Sequence, residues 1–253
     1  MRAAPLGDAE GRCAVVYLLI VVASFVGGIL QGVTGFGAGL VLMMALPMLY
    51  PVPTAAAISG VVFFVLCISM VWRYRAHLRV REILAPLACY MVLSGSSAYL
   101  TSVAPDQEFI KRAFGVFLIA LSVYYLLIGE RAENKPLHPA LGWFYVALSG
   151  FCDGFFGIGG PLLVLYFLQR FPNREERLGS LQLFFAINVV YTTVIRAVAG
   201  AFPPNPLPII ALGAVAICAG LAVANVLARH IDDALLRRLT YVLIGICGLM
   251  NVF

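Results

Sequence analysis

Charge is scarce in this chain. Only 11% of its 253 residues are Asp, Glu, Lys or Arg, against 62% hydrophobic residues, whereas a soluble domain carries about 25% charge. That ratio, with a mean hydropathy of +0.97, excludes an ordinary soluble globular fold. Histidine is scarcer still: His77, His138 and His230 fall in or beside expected loops with no ligand spacing, so no metal centre is expected. Cysteine pairs are absent as well. Cys13, Cys67, Cys89, Cys152, Cys218 and Cys247 stand singly, with no C-x-x-C, and read as small core hydrophobes rather than disulfides or metal ligands. There is no G-x-S-x-G, no H-E-x-x-H and no P-loop. Neither an enzyme, a cofactor nor an ATP-driven device is therefore expected.

The formal net charge of +5 comes from basic residues in short segments between apolar runs. That distribution is the signature of orientation in a lipid bilayer, not of a nucleic-acid surface. What fills the sequence instead of charge is long apolar runs, and within two of them one glycine pattern occurs twice.

Residues 28 to 41 read Gly-Ile-Leu-Gln-Gly-Val-Thr-Gly-Phe-Gly-Ala-Gly-Leu-Val, and residues 150 to 163 read Gly-Phe-Cys-Asp-Gly-Phe-Phe-Gly-Ile-Gly-Gly-Pro-Leu-Leu. Gly28, Gly32, Gly35 and Gly37 pair with Gly150, Gly154, Gly157 and Gly159. Each glycine in a helix interior costs up to about 1 kcal/mol relative to alanine, so such clusters predict local unwinding at Gly32 to Gly37 and at Gly154 to Gly160. Unwound backbone at membrane depth survives only where protein or a water-filled cavity surrounds it. A duplicated break is thus a pointer to a transport site. The competing reading is that the glycines serve close helix packing.

The apolar run from Ala14 to Tyr50 would make a single helix of about 55 Å, against a hydrocarbon core of about 30 Å. Broken at its glycines it leaves arms of roughly 24 and 20 Å. These lengths fit a re-entrant hairpin, with two tilted or shortened full crossings as the alternative. The run from Cys13 to Ile29 behind Arg2 and Arg12 also has the look of a signal peptide, but it leads directly into the repeated motif and is read as part of the mature fold.

Three ordinary spans follow, at about 54–72, 83–103 and 109–128. The second half repeats the order, with a broken element over 139–171 and spans at about 178–199, 207–228 and 235–251. The expected fold is an all-α polytopic membrane protein of two inverted repeats, each a broken helical hairpin plus three transmembrane helices. Its divisions are a polar lead over 1–12, a first repeat over 13–128, a connector over 129–138 and a second repeat over 139–253. Arg73, Arg75, Arg79 and Arg81 mark one cytoplasmic loop, and Arg170, Arg174 and Arg177 mark another.

The second arm of each hairpin starts near Phe36 and Ile158, where exposed N–H groups and the helix dipole favour an anion. The candidate binding set is Gln31, Gly32, Thr34, Gly35, Phe36 and Gly37 in the first copy, with Gly154, Gly157, Ile158, Gly159 and Gly160 in the second. Asp153, the counterpart of Gln31, is the one acidic residue deep in an apolar element. A carboxylate there is costly enough to suggest function. It reads either as the site of a coupling proton or sodium ion or as a cap on the second arm. Asn188, Tyr191 and Thr192 share one helix face, with Arg196 four residues on. Asn188, Tyr191 and Arg196 join the candidate set. Arg196 would attract an anion at an outer vestibule or snorkel to the interface.

At these residues the chain resembles the sulfite exporter TauE/SafE family, also called the toluene sulfonate uptake permease family. The likeness lies in residues 27 to 40, in Gly-Phe-Phe-Gly-Ile-Gly-Gly-Pro-Leu at 154 to 162, and in the length and two-half plan. One departure is Pro161, where the family often has a third glycine. The resemblance implies a bacterial inner-membrane secondary transporter for a small sulfur-containing anion such as sulfite or a sulfonate. Its partners would be that anion, a coupling proton or sodium ion and the lipid bilayer, with no nucleic acid; self-association is left open. A passive anion channel and a non-transporting membrane assembly or enzyme component are the alternatives.

Overall fold

The computed structural model describes residues 6–104, 106–124 and 139–227. The connector and the span expected at 235–251 lie outside the described residues. Nine α-helices, and no strand, occur among the described residues: α1 (Leu6–Thr34), α2 (Ala38–Ala45), α3 (Val52–Arg73), α4 (Val80–Val103), α5 (Gln107–Tyr124), α6 (Pro139–Phe156), α7 (Gly160–Arg170), α8 (Arg174–Val198) and α9 (Leu207–Leu227). Five stretches among them are long and apolar enough to cross a bilayer: Val15–Thr34, Val52–Arg73, Val80–Val103, Arg174–Val198 and Leu207–Ala224.

Helix ends follow local chemistry. Pro51 and Pro53 open α3, where a missing N–H costs nothing. Asn173 caps α8 by accepting the Glu175 N–H at 2.9 Å, and Glu175 and Glu176 in its first turn suit the positive end of the dipole. Burial runs opposite to that of a soluble protein. Leu18, Trp72, Val198 and Val215 are exposed, while Gln31, Gln182, Asn188 and Arg196 are buried. An apolar outside with a polar inside is what lipid demands of a bundle.

The two glycine-bearing runs fold as hairpins. A Cβ on Gly27 would stand 3.1 Å from the Ala38 Cα, so α2 turns back along α1; a Cβ on Gly142 would stand 3.2 Å from the Tyr166 ring, so α7 turns back along α6. The lengths differ from those expected. The apolar part of α1, Val15–Thr34, is about 30 Å long, enough for the whole core, because Gly32 stays helical; only the second arm is short.

The hairpins lodge in opposite halves. α1 packs chiefly on α9, α6 chiefly on α4, and α3 on α8. Here half of the repeated glycines find their purpose. A Cβ on Gly28 would lie 2.3 Å from the Ile217 carbonyl oxygen, one on Gly150 2.7 Å from that of Tyr90, and one on Gly154 2.0 Å from that of Ser94. Gly32 likewise meets Ala224. These four sit inside α1 and α6 and allow close helix contact, backbone to backbone at Gly28, Gly150 and Gly154. They do not unwind the chain, which corrects the break limits expected from sequence: the interruptions are Gly35 to Gly37 and Gly157 to Gly159.

The basic loops share one face. Arg79 Nη2 lies 2.5 Å from Glu176 Oε1, His77 Nε2 lies 3.0 Å from Glu175 Oε2, and Arg170 Nε lies 3.0 Å from Glu82 Oε2.

Candidate functional site

Two glycines with left-handed backbone make the turns. Gly35 has φ 83° and Gly157 φ 72°, and Gly37 follows at φ 120°. Side chains with a Cβ rarely adopt such angles. Gly35 N–H still closes on the Gln31 carbonyl at 2.8 Å, and Gly157 N–H on that of Asp153 at 2.7 Å, so each first arm ends at the same point of its copy.

The residues one turn earlier, Gln31 and Asp153, tie the two arms together. Gln31 Oε1 accepts the Ala38 N–H at 3.0 Å, and its Nε2 donates to the Gly35 carbonyl at 3.0 Å and to Gln182 Oε1 at 3.2 Å. Gln182 Nε2 donates to the same Gly35 carbonyl at 2.9 Å. Asp153 accepts the Gly159 N–H and, through Oδ2, Asn188 Nδ2 at 2.7 Å. Asn188 Oδ1 in turn accepts Ser94 Oγ at 2.7 Å. Thr34 bends onto its own copy, donating to the Leu30 carbonyl at 2.9 Å and the Phe36 carbonyl at 2.6 Å. Gln182 and Asn188 both stand on α8, so one helix holds the polar side chain of each break.

Arg196, buried at 3% exposure, lies where the second hairpin turns, not at the surface vestibule or interface the sequence suggested. Its Nη2 donates to the Gly154 carbonyl at 2.9 Å and to the Asp153 carbonyl at 3.2 Å. These are carbonyls of the last turn of α6, at the negative end of its dipole; that of Asp153 also accepts the Gly157 N–H. The Arg196 Nε is buried with no protein partner. Although opposite in charge, Arg196 and the Asp153 carboxylate are not among the ion pairs within 4 Å of the described residues, all of which lie at exposed ends.

Both breaks face one cavity of about 40 Å³, room for a few water molecules. Gln31, Phe36, Gly37, Asp153, Gly157, Ile158, Gly159, Gly160, Asn188 and Arg196 line it, so ten of the sequence-derived candidates converge. Five do not. Gly32, Gly35 and Gly154 serve turns and packing; Thr34 satisfies its own loop; Tyr191, 36% exposed, packs its ring on Gly95 of α4. The lining also holds Thr192, and Phe63 and Phe185 with ring centroids 5.7 Å apart. Those two aromatics carried a sequence signal only as members of Phe-Phe pairs in corresponding spans. Among the described residues no cluster could hold a metal ion.

Chemically, the cavity lining offers a guanidinium with an unused donor, the start of α7, an amide, a carboxylate and aromatic rings. It suits an anion with an apolar part.

A family model described as sulfite exporter TauE/SafE matches residues 20–250. A curated relative, the probable membrane transporter protein MJ0441 of Methanocaldococcus jannaschii, is 25% identical over 158 residues, 58% of this chain. The chain spans 59% of the length of that relative. No solved structure matches. The family match runs through both hairpins and every helix that brackets them, and the chain belongs to the sulfite exporter TauE/SafE family of membrane transporters.

Proposed function

We propose that the chain is a secondary transporter that carries a small sulfur-containing anion, a sulfite or sulfonate, across the bacterial inner membrane by alternating access. The reading is carried by one observation: a buried arginine, Arg196, with an unpartnered Nε, lines a cavity into which two helix breaks open. A buried guanidinium with a spare donor is a strong oxyanion ligand. The anion sits between Arg196 and the first turn of α7, with Phe36, Phe63 and Phe185 against its apolar face. Residues 13–128 and 139–253 act as inverted repeats, and the pairing of each first arm with the opposite half supports that reading. Asp153, 2.7 Å from Asn188 in the same cavity, takes the coupling ion.

The test is flux in proteoliposomes, comparing sulfite, taurine, isethionate and sulfoacetate with a carboxylate control, with and without an imposed pH gradient. Saturable accumulation of a sulfur-containing anion, abolished in Arg196→Gln and no longer driven by the gradient in Asp153→Asn, is expected. Flux that only dissipates a gradient favours a channel. No flux from folded protein overturns transport and leaves a membrane-component role.

A further inference from the structure

The carbonyl oxygens of Asp153 and Gly154 form the negative end of α6, at the edge of the cavity. In transporters built on broken helices, such ends together with unwound carbonyls are where a sodium ion is held, since hard cations take oxygen ligands. Here those oxygens are already engaged. Arg196 Nη2 donates to both, at 3.2 and 2.9 Å. The first hairpin carries the same device in the other half: Arg174 Nη2 donates to the Val33 carbonyl at 3.2 Å, at the C-terminal end of α1. Both arginines belong to α8, one at each end.

The surroundings of Asp153 point the same way. Its carboxylate faces N–H donors, Asn188 Nδ2 and the Gly159 N–H, rather than the oxygens a metal cation needs. The titratable groups facing it are Arg196 from α8, Tyr90 from α4 and its neighbour Cys152 on α6. α3 and α7 bring Ala56, Ser59, Gly60, Phe63, Gly160 and Pro161 to the cavity, none of them titratable. A sodium ion would be placed beside a guanidinium and opposite hydrogen-bond donors. A proton needs only one free carboxylate lone pair.

Resting on the anion-transport reading, we propose that the Arg196 guanidinium occupies the place a sodium ion would take at the end of α6, so that the ion coupled to anion movement is a proton on Asp153 and sodium has no part. Asp153 takes the proton as carboxylate to carboxylic acid and returns it on the other side. The cavity then holds the fixed positive charge of Arg196 against the anion alone.

The experiment has two readouts. Thermal unfolding of the purified full chain is followed in sodium, potassium or choline chloride at matched ionic strength, for wild type, Arg196→Ala, Arg196→Gln and Arg196→Lys. Flux under a pH gradient is measured in the same salts. The wild type is expected to melt at one temperature and to transport at one rate in all three salts. Arg196→Ala and Arg196→Gln are expected to melt a few degrees higher with sodium than with choline, as a cation enters the vacated place, and Arg196→Lys is not. A specific rise of the wild-type melting temperature in sodium, or flux that requires sodium, overturns the proposal. So does the absence of any cation response in whichever of the two uncharged variants folds. Absence of flux in every salt, with the melting results as expected, would instead sink the transport reading and leave the tethered cation standing.

Discussion

Gln31 and Asp153 hold the same place in the two copies, and each accepts an N–H from the start of the helix that follows its break: Ala38 N–H at 3.0 Å for Gln31, Gly159 N–H for Asp153. The shapes match and the charges differ. An amide gives the first break donors as well as an acceptor, and both are spent on the Gly35 carbonyl and Gln182. A carboxylate gives the second break an acceptor only, which leaves it able to exchange a proton. The first break is thus fixed by hydrogen bonds, and the second is the one whose charge can change.

Removing the amide should therefore damage stability. In Gln31→Ala the buried Ala38 N–H loses its acceptor, and an orphaned buried group costs about 1–3 kcal/mol. The Gly35 carbonyl keeps Gln182. A lower melting temperature is expected for the purified protein, with a smaller loss in Gln31→Glu at low pH, where a neutral carboxyl can accept that N–H and donate one hydrogen bond in place of the amide. Equal loss in both variants would show that the cap does not hold the break.

Glycines of the two kinds should respond differently to alanine. Gly200 has φ 74° with nothing within 4 Å of a Cβ, so Gly200→Ala pays only for its backbone angle, about 1–2 kcal/mol. Gly154 is helical, but its Cβ would lie 2.0 Å from the Ser94 carbonyl oxygen and 2.1 Å from Ser97 Oγ. Backbone cannot yield as a side chain does, so Gly154→Ala must push α4 and α6 apart and should abolish folded, monodisperse protein in detergent. Size-exclusion profiles and melting curves of the two variants check this. A Gly154→Ala protein as stable as Gly200→Ala would deny the close contact.

The duplicated glycine block, its register and four of the five long apolar helices were legible in the sequence, since hydropathy and repetition are local properties; the fifth, Val15–Thr34, was expected as a shorter arm. The division of labour among the glycines was not. Gly28 and Gly32 look like Gly35 and Gly37 on the page, and only the neighbouring helix, α9, decides that the first pair packs and the second pair turns. Arg196 was legible as sharing a helix face with Asn188 and Thr192, but not as buried, because its partners, two main-chain carbonyls of α6, lie in another element. The serine that completes the Asp153 and Asn188 chain, Ser94, carried no signal, because a serine in a membrane helix commonly bonds its own backbone.

The hairpins make a sharp prediction about sidedness. If each returns to the face it entered from, Leu49, between α2 and α3, shares a face with Asn205, and Asn173, between α7 and α8, shares the opposite face with Ala76. The ion pairs joining the loop at His77 and Arg79 to Glu175 and Glu176 fix that second face as one surface, and the excess of arginine there predicts that it faces the cytoplasm. Single cysteines at these four positions, in a background with the native cysteines replaced by serine or alanine, should divide cleanly under a membrane-impermeant maleimide. Leu49→Cys and Asn205→Cys should label in intact cells. Ala76→Cys and Asn173→Cys should label only after permeabilisation. Labelling of Leu49→Cys together with Asn173→Cys would put the equivalent ends of the two hairpins on one face, and the inverted arrangement of the two halves would fall with it.

Asn188 is where stability and coupling separate. Its Oδ1 takes the Ser94 hydroxyl and its Nδ2 gives to Asp153, both at 2.7 Å. In Asn188→Leu the volume is kept, and the carboxylate loses a donor that favours its charged form. Folding should survive, because an apolar side chain is no burden to a membrane helix, but the ionised state of Asp153 becomes harder to reach and release of the proton slows. Gradient-driven uptake should fall by about tenfold or more, the effect of losing one hydrogen bond to a charged group worth 1.5–3 kcal/mol. Exchange of labelled for unlabelled anion, which needs no proton release if the carrier shuttles protonated, should be retained. Loss of both activities in equal measure would mean that Asn188 binds the anion itself rather than tuning the carboxylate beside it.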